Sequence, residues 1–167
     1  MSVKNTFRIH QSETYSLWDT IFYDNATSSN YNPNWKLGSS PVIDRDENGT
    51  TLSSPDTAWR NMTVSTNGVD NLHFSNPVCI EFDVVSLTNT CRMEIYYSTD
   101  YRFLSTFANY GVGHYRVEYT ITQQKVYVDD VLKQTVNTNF TGRNPRLTLV
   151  VWNEGALKFK NLKIYPI

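Results

Sequence analysis

The sequence predicts an all-β protein, folded as one antiparallel two-sheet sandwich domain over residues 1–167. Apolar and polar residues alternate with period two in nearly every apolar segment, which is the period of a strand with one buried face. In HYRVEYTIT, for example, one side can carry Val117, Tyr119 and Ile121, while the other carries Arg116, Glu118 and Thr120. No segment has helical periodicity, Ala is scarce, and Asn, Ser and Thr are abundant. This composition favours strands and turns over helices.

The candidate strands follow one another along the chain. The first third is looser, with strands predicted in TFRIH and YSLWDTIFYD and a loop in ATSSNYNPNW, where Asn32-Pro33 acts as a breaker. The alternation is strongest in the last third, where only short polar breaks separate the strands. After the loop, the predicted strands are PVIDRD, TTLSS, AWRNMTVST, NPVCIEFDVV, CRMEIYYS, YRFLSTF, HYRVEYTIT, KVYVDD, VLKQTV, RLTLVVW and ALKFKNLKIYPI.

The two cysteines are predicted to be free thiols. We expect VCIEFDVV and CRMEIYY to form a hairpin around Leu87-Thr88, which places Cys79 opposite Tyr96 and Cys91 opposite Val84. In that register the two sulfur atoms are too far apart to bond. Alternation also places Cys91 on the core face of its strand and points Cys79 away from the core.

Composition limits the classes of partner. The net charge is -1 and no basic stripe is present, so a nucleic-acid partner is not expected. No apolar run approaches the length of a membrane span, so we expect no membrane insertion. Met1 is not followed by a secretory signal pattern. We therefore expect either a domain of a larger secreted protein or a virion protein, located outside the cell, on the cell surface or on a virion.

Several segments between about Leu17 and Tyr165 occur in a familiar order. IFYDNATSSNYNPNW has an Asp, a polar loop and a Trp, and NGTTLSS and CIEFDVV follow as strands. HYRVEYTITQQKVYVDDVLKQTV is a strand, turn and hairpin, and GALKFKNLKIYPI is a final strand. This order resembles the concanavalin A-like, or laminin-G-like, jelly roll. The resemblance implies a jelly-roll sandwich, as in carbohydrate-binding modules, prokaryotic surface adhesins and viral tail receptor-binding proteins.

One strand carries carboxylates that raise an enzymatic alternative. Glu81 and Asp83 lie on one face of CIEFDV, and the predicted hairpin places Glu94 opposite Glu81 and Arg92 opposite Asp83. A glycosidase needs two facing carboxylates, one as acid and one as nucleophile or base. The run resembles the Glu-x-Asp-x-Glu strand of laminarinase-type hydrolases, but Val85 replaces the last carboxylate. We therefore predict no catalytic residues and expect a polar sheet face there. A glycoside hydrolase using Glu81, Asp83 and Glu94 is the alternative.

A second hairpin contains half of a calcium motif. Asn48-Gly49 can supply positive φ between PVIDRD and TTLSS. Asp44, Asp46 and Asn48 then match the start of a calcium loop, D-x-D-x-N-G, while Pro55 stands where the closing Glu is expected. We predict at most a weak structural calcium site at Asp44, Asp46 and Asn48, and otherwise a hairpin tip with turn-forming side chains. No other cofactor is expected.

The aromatic residues favour ligand binding. The chain has four Trp and 11 Tyr, more than a core of this size obviously needs. Sugar C–H faces stack on such rings, while sugar hydroxyls bond to Asp, Asn, Arg and Glu side chains. Alternation leaves one side of CRMEIYY and the end of RLTLVVW outside the core. The predicted ligand-binding residues are Arg92, Glu94, Tyr96, Trp152 and Asn153, on the condition that the two strands lie near each other. If these rings belong to the core, the next candidates are Tyr31, Trp35 and Trp59.

We therefore interpret the sequence as a non-catalytic recognition module. The predicted partner is a cell-surface glycan or glycoprotein, and the predicted role is that of an adhesin or a viral tail receptor-binding domain. Two alternatives stay open at this point. One is the glycoside hydrolase of the same fold, and the other is a structural virion domain that forms homo-oligomers through its aromatic residues.

Overall fold

The computed structural model describes residues 20–66, 68, 70–74, 77–88, 90–96, 102–106, 110–137 and 145–167. Across these residues the regular structure is β-strand, and no described segment forms a helix long and apolar enough to cross a membrane. The predicted strand TFRIH lies outside the described residues. The strands are β1 (Phe22–Asp24), β2 (Trp35–Gly38), β3 (Val42–Asp46), β4 (Gly49–Ser53), β5 (Arg60–Thr66), β6 (Asp70–Asn71), β7 (Val78–Leu87), β8 (Cys91–Tyr96), β9 (Arg102–Thr106), β10 (Gly113–Tyr119), β11 (Gln123–Val128), β12 (Val131–Asn137), β13 (Arg146–Val151) and β14 (Ala156–Pro166).

The strands form two sheets. The eight-stranded sheet has the order β12-β11-β10-β7-β14-β4-β3, and β1 pairs with β14. The six-stranded sheet has the order β2-β5-β13-β8-β9, and the short β6 pairs with β5. Neighbouring strands run antiparallel in both sheets. The predicted all-β antiparallel two-sheet sandwich is therefore confirmed.

The core lies between the two sheets and follows the predicted alternation. Residues on every second position of the long strands are buried, because only one face of each sheet turns towards the other sheet. The eight-stranded sheet contributes residues such as Ile80, Phe82, Val84, Tyr115, Val117, Tyr119, Phe159, Leu162 and Ile164. The six-stranded sheet contributes Met62, Val64, Cys91, Met93, Ile95, Leu147, Leu149 and Val151.

The opening Asp and Trp of the first segment contact each other. Asp24 is buried and accepts a bond from the indole Nε1 of Trp35 at 2.6 Å. The same carboxylate accepts bonds from the backbone N–H groups of Ala26 and Asn32, both at 2.8 Å. Trp35 is buried against Phe22 and Phe159, with ring centroids 5.6 and 5.7 Å apart. Trp35 therefore belongs to the core and ties the first loop to both sheets.

The predicted hairpin of VCIEFDVV with CRMEIYY is wrong. β7 pairs with β10 and β14 in the eight-stranded sheet, whereas β8 pairs with β13 and β9 in the six-stranded sheet. The short connection around Thr88 crosses from one sheet to the other. Alternation could not separate these outcomes, because both strands present their apolar side chains to the same core from opposite sides. The expected facing pairs of Glu81 with Glu94 and of Asp83 with Arg92 therefore do not exist.

Both cysteines are free, as predicted. Cys91 belongs to the core, and Cys79 is buried but lies outside the core cluster. The reason for their separation differs from the predicted one, since the two residues lie in different sheets. Burial raises the pKa of each thiol to about 12, so neither is a reactive thiolate near neutral pH.

Candidate functional site

Strands β8 and β13 are neighbours, which meets the condition for a shared binding surface. Val150 pairs with Arg92, and Thr148 pairs with Glu94. Alternate residues of both strands enter the core, so Arg92, Glu94, Thr148 and Val150 all point to the outer face of the six-stranded sheet.

Arg92 and Glu94 form an ion pair on this outer face. The Nε of Arg92 donates to Oε1 of Glu94 at 2.6 Å, and a second guanidinium nitrogen also contacts that oxygen. Their side chains are only 12% and 3% exposed. Glu94 lies on the outer face as predicted, but its side chain is buried and paired with Arg92, and its role as a ligand group stays a prediction. The side chain of Tyr96 lies outside the described part of the chain.

Trp152 stands at the corner between β13 and β14, where the chain leaves one sheet for the other. Asn153 and Glu154 follow it with φ of 50° and 57°, and the Gly155 N–H donates to the Trp152 carbonyl at 2.9 Å. The Trp152 N–H donates to the Thr90 carbonyl at 3.0 Å. A tight turn with both central residues in the left-handed region therefore holds the indole at a fixed point. Asn153 lies exposed in this turn, directly after Trp152 in the chain.

A second tryptophan completes the site. Trp59, in the loop before β5, stacks on Trp152 with ring centroids 4.7 Å apart and planes inclined by 11°. The guanidinium carbon of Arg92 lies 4.1 Å from the Trp59 centroid and 5.3 Å from the Trp152 centroid. We call Trp59, Trp152 and Arg92 the tryptophan patch.

The three distances show which face of Trp59 is free. Packed groups are separated by about 3.5 Å, so two groups on opposite faces of one ring would be about 7 Å apart or more. The guanidinium of Arg92 is only 5.3 Å from Trp152, so both groups lie on the same face of Trp59. Trp59 is 46% exposed. Its other face is therefore open to solvent, as an aromatic platform supported from below by a second indole and a cation.

Asp56 ties the two loops of the tryptophan patch together. Its backbone carbonyl accepts the Glu154 N–H at 2.8 Å, which connects the Trp59 loop to the Trp152 turn. Its carboxylate accepts the Ala58 N–H at 2.9 Å and pairs with Arg60 at 2.5 Å. The buried Ser54 hydroxyl donates to the carbonyls of Asp56 and Ala58. These hydrogen bonds hold the Trp59 loop in place and connect it to the Trp152 turn, which preorganises the platform for a ligand.

The sequence pattern predicts the face on which Trp59 lies, but it does not predict its contact with Trp152. Asn61 and Thr63 point to the outer face of β5, as their pairing with Val150 and Thr148 shows. Extending this alternation backwards by one step places Trp59 on the same face. What alternation could not reveal is the contact with Trp152, because that contact depends on which strands are neighbours.

The carboxylates of the enzymatic alternative lie on opposite sides of the molecule. Glu81 and Asp83 point to the outer face of the eight-stranded sheet, so Glu94 cannot act with them. Glu81 is buried and accepts the Tyr165 hydroxyl at 2.8 Å. Asp83 contacts Nδ1 of His114 at 2.8 Å and accepts the Asn161 amide at 2.7 Å. We call these five residues the polar face.

The bond to His114 is the main cause that lowers the pKa of Asp83, and the same bond raises the pKa of His114. Burial raises the pKa of Tyr165. The contacts of the polar face therefore favour a charged Asp83–His114 pair and a protonated Tyr165 hydroxyl.

The predicted hairpin is confirmed, since β3 pairs with β4. The predicted calcium residues lie in β3 and in the turn that follows it. Asp44, Asp46 and Asn48 are all exposed. The Asp46 carboxylate accepts the Asn48 N–H at 2.7 Å and the Lys158 ammonium at 2.6 Å. Within the described residues, no group of three or more His, Cys, Asp and Glu side chains is placed to hold a metal ion. The weak calcium site stays a prediction.

Comparison with solved structures supports the fold. No protein-family model and no curated protein matches the sequence. A Bacillus subtilis protein of unknown function with a galectin-like fold matches with a TM-score of 0.64 at 5% identity, over 87% of this chain and 95% of that one. The Crh5 transglycosylase in its apo form matches at 0.63 and 11% identity, over 89% and 84%.

The carbohydrate recognition domain of Emp47p matches with a TM-score of 0.61 at 8% identity, over 91% of this chain and 99% of that one. At such identities the likeness shows the fold alone. The predicted concanavalin A-like jelly roll is therefore confirmed, and the fold is shared by proteins with different activities.

Proposed function

We propose that this protein binds carbohydrate through the tryptophan patch. The observation that carries the proposal is the open face of Trp59, which is supported on its other side by Trp152 and Arg92. A large exposed indole held rigidly in place is more typical of a ligand site than of an unoccupied surface. The fold is compatible with this role, since one of the similar structures is described as a carbohydrate recognition domain.

The geometry of the patch suits a sugar ring. The C–H face of a pyranose can lie flat on the open face of Trp59, where stacking contributes about 1 kcal/mol. Polar groups stand around the rim, including the exposed side chains of Asn153, Glu154 and Asp56. These groups can bond to sugar hydroxyls. The predicted ligand residues Arg92, Trp152 and Asn153 therefore keep a place in the proposal, with Arg92 beneath the ring as support.

A glycan array with the wild-type protein tests the proposal. We expect retention on a limited set of glycans and loss of that retention in Trp59→Ala. Tyr31→Ala is the matched control, because Tyr31 is 47% exposed and also has an arginine packed on its ring, with the guanidinium carbon of Arg45 4.3 Å from the ring centroid. Loss of binding in the control but not in Trp59→Ala would exclude the tryptophan patch as the site.

The patch is small, so single sites should bind weakly and depend on display in several copies. This agrees with the proposed role in an adhesin or a viral tail protein that recognises a cell-surface glycan or glycoprotein from outside the cell. The oligomeric alternative is tested by the molar mass in solution. A dimer that separates on Trp59→Ala would make the patch a subunit interface in place of a sugar site.

We further propose that binding occurs without cleavage. Glu94 is paired with Arg92, while Glu81 is engaged by Tyr165 on the other sheet. Glu81 and Glu94 are therefore not within reach of the same glycosidic bond. A reducing-sugar assay on every polysaccharide that the protein retains should detect no turnover. Turnover abolished by Glu81→Gln would show that the polar face is an active site.

A further inference from the structure

The charges around the tryptophan patch determine which glycans it can accept. Two arginines lie in or beside the patch, and a carboxylate already engages each of them. Arg92 is paired with Glu94, and Arg60 is paired with Asp56. The Arg60 guanidinium also donates to the Ser39 carbonyl. Arginine recognises a ligand carboxylate through its two-pronged guanidinium edge, and here protein groups occupy those edges.

The other described cations on this outer face are too far from the tryptophan patch to bind an anionic group on a stacked sugar. Lys36 pairs with Thr63, four residues along β5 from Trp59, which is about 13 Å. Arg146 lies six residues along β13 from Trp152, which is about 20 Å. Arg102 pairs with Tyr96, four residues along β8 from Arg92, which is about 13 Å. All three separations exceed the screening length of about 8 Å at physiological salt. Among the residues that the structure describes, no lysine or arginine is therefore placed to meet an anionic group on a sugar stacked on Trp59.

The remaining charge at the patch is negative. The two arginines are balanced by Glu94 and Asp56, which leaves the exposed Glu154 in excess. Its backbone N–H bonds to the Asp56 carbonyl, so the two residues border the same side of the patch. A sialic acid or uronic acid would bring its carboxylate into this region without a partner, at a cost in binding free energy.

We propose that the tryptophan patch selects neutral glycans and rejects acidic ones. This inference rests on the proposed function, since it concerns the same site. The ligand class is an uncharged sugar residue that offers a C–H face to Trp59 and hydroxyls to the polar rim. A uronate or sialylated counterpart of the same glycan is expected to bind at least about tenfold more weakly, which corresponds to about 1.4 kcal/mol.

The experiment uses the full chain on an array of matched glycan pairs. Neutral oligosaccharides are printed beside their sialylated counterparts, and methyl-esterified galacturonan is printed beside the de-esterified polymer. We expect retention on neutral members that is lost in Trp59→Ala, with little retention on acidic members. Equal or stronger retention on acidic members, lost in Trp59→Ala, would overturn the neutral preference while leaving the proposed function intact. Absence of retention on every pair, or retention that Trp59→Ala does not change, would overturn both.

A charge reversal tests whether the local charge causes the preference. Glu154→Lys should raise the ratio of retention on the acidic members to retention on their neutral counterparts at least threefold, because it adds a cation at the rim. Asp44→Lys is the matched control, since it changes the net charge equally at an exposed site on the other sheet. Equal gains in both variants would assign the preference to the net charge of the protein and overturn the local explanation.

Discussion

The outer face of each sheet contains a trio made of an arginine, a glutamate and an aromatic ring. On the six-stranded sheet Arg92 pairs with Glu94 and lies against Trp59, and on the eight-stranded sheet Arg116 pairs with Glu118 and lies against Tyr127. In each trio the Arg and Glu are two residues apart on one strand. The guanidinium carbons lie 4.1 and 3.9 Å from the ring centroids.

The surroundings of the two rings differ. The Tyr127 hydroxyl bonds to Glu118 at 3.3 Å, so this ring is tied into its own trio. Trp59 instead stacks on Trp152 and is 46% exposed. The trio is therefore a general way to cover charged side chains on a sheet, and it does not identify a site by itself. The second indole and the open face distinguish the tryptophan patch.

The largest expected effect is the loss of protein stability when one of the two ion pairs is broken. Arg92→Met should lower the free energy of unfolding by about 3–5 kcal/mol, because it leaves the 3% exposed Glu94 side chain without its arginine. Arg116→Met should cost about 1 kcal/mol or less, since Arg116 and Glu118 are 21% and 25% exposed. Thermal unfolding should show a decrease in Tm of about 10 °C for the first and about 3 °C for the second. Similar decreases in Tm would mean that the different burial of the two ion pairs does not change what each contributes to stability.

The next effect concerns binding. Trp59→Ala should weaken binding to any retained glycan about fivefold, because the stacking platform is lost. Tyr127→Ala removes the ring of the other trio and should leave the dissociation constant unchanged. Titration of both variants with the same glycan measures the contrast. A loss of affinity on Tyr127→Ala alone would move the site to the eight-stranded sheet.

The sequence predicted the fold well because alternation reports directly on burial. The core contains the predicted positions Val117, Tyr119, Leu147, Leu149 and Val151. Ile121, predicted on the same side as Val117, is instead 47% exposed, because β10 ends at Tyr119 and Ile121 lies in the turn before β11. Alternation says which face a residue occupies and leaves its neighbouring strand undetermined. For that reason β7 and β8 were paired wrongly, and Glu94 was placed opposite Glu81.

The candidate site was predicted in part for the same physical reason. Trp152 and Arg92 were placed on an outer face correctly, since parity along one strand is enough for that. Trp59 reaches the patch from a loop 93 residues earlier in the chain than Trp152, by their numbers in the sequence. The contact between them is fixed by Asp56 and by the turn at Glu154, which no local pattern indicates.

A smaller effect is expected from pH at the polar face. The folded pKa of His114 is raised from its ordinary value of 6.5 and that of Asp83 is lowered from 3.8, chiefly through their mutual bond. The pair therefore stabilises the fold fully between those two values. This stabilisation is lost as pH rises through the raised pKa of His114, and as pH falls through the lowered pKa of Asp83.

The variant His114→Gln tests this pH dependence. The difference in Tm between wild type and variant should be larger at about pH 5.5 than at about pH 8.5, because the imidazole loses its proton as pH rises through its raised pKa. The Arg92–Glu94 ion pair itself contains no histidine, so the Arg92→Met decrease should stay nearly constant over the same range. A His114→Gln difference that does not change with pH would show that the pair is not charged in the folded protein.

The smallest effect concerns calcium at the edge of the eight-stranded sheet. A cation bound by Asp44, Asp46 and Asn48 must displace the Lys158 ammonium, which bonds to Asp46 at 2.6 Å and is the main cause that lowers the pKa of Asp46. Millimolar calcium should therefore raise the Tm of the wild type only slightly, by mass action on a weak site. Lys158→Met removes the competing cation and should enlarge that rise. Lys160→Met is the control, since it removes the same charge from the same strand without a bond to Asp46. If calcium changes the Tm of none of the three proteins, the segment is a hairpin tip that does not bind the ion.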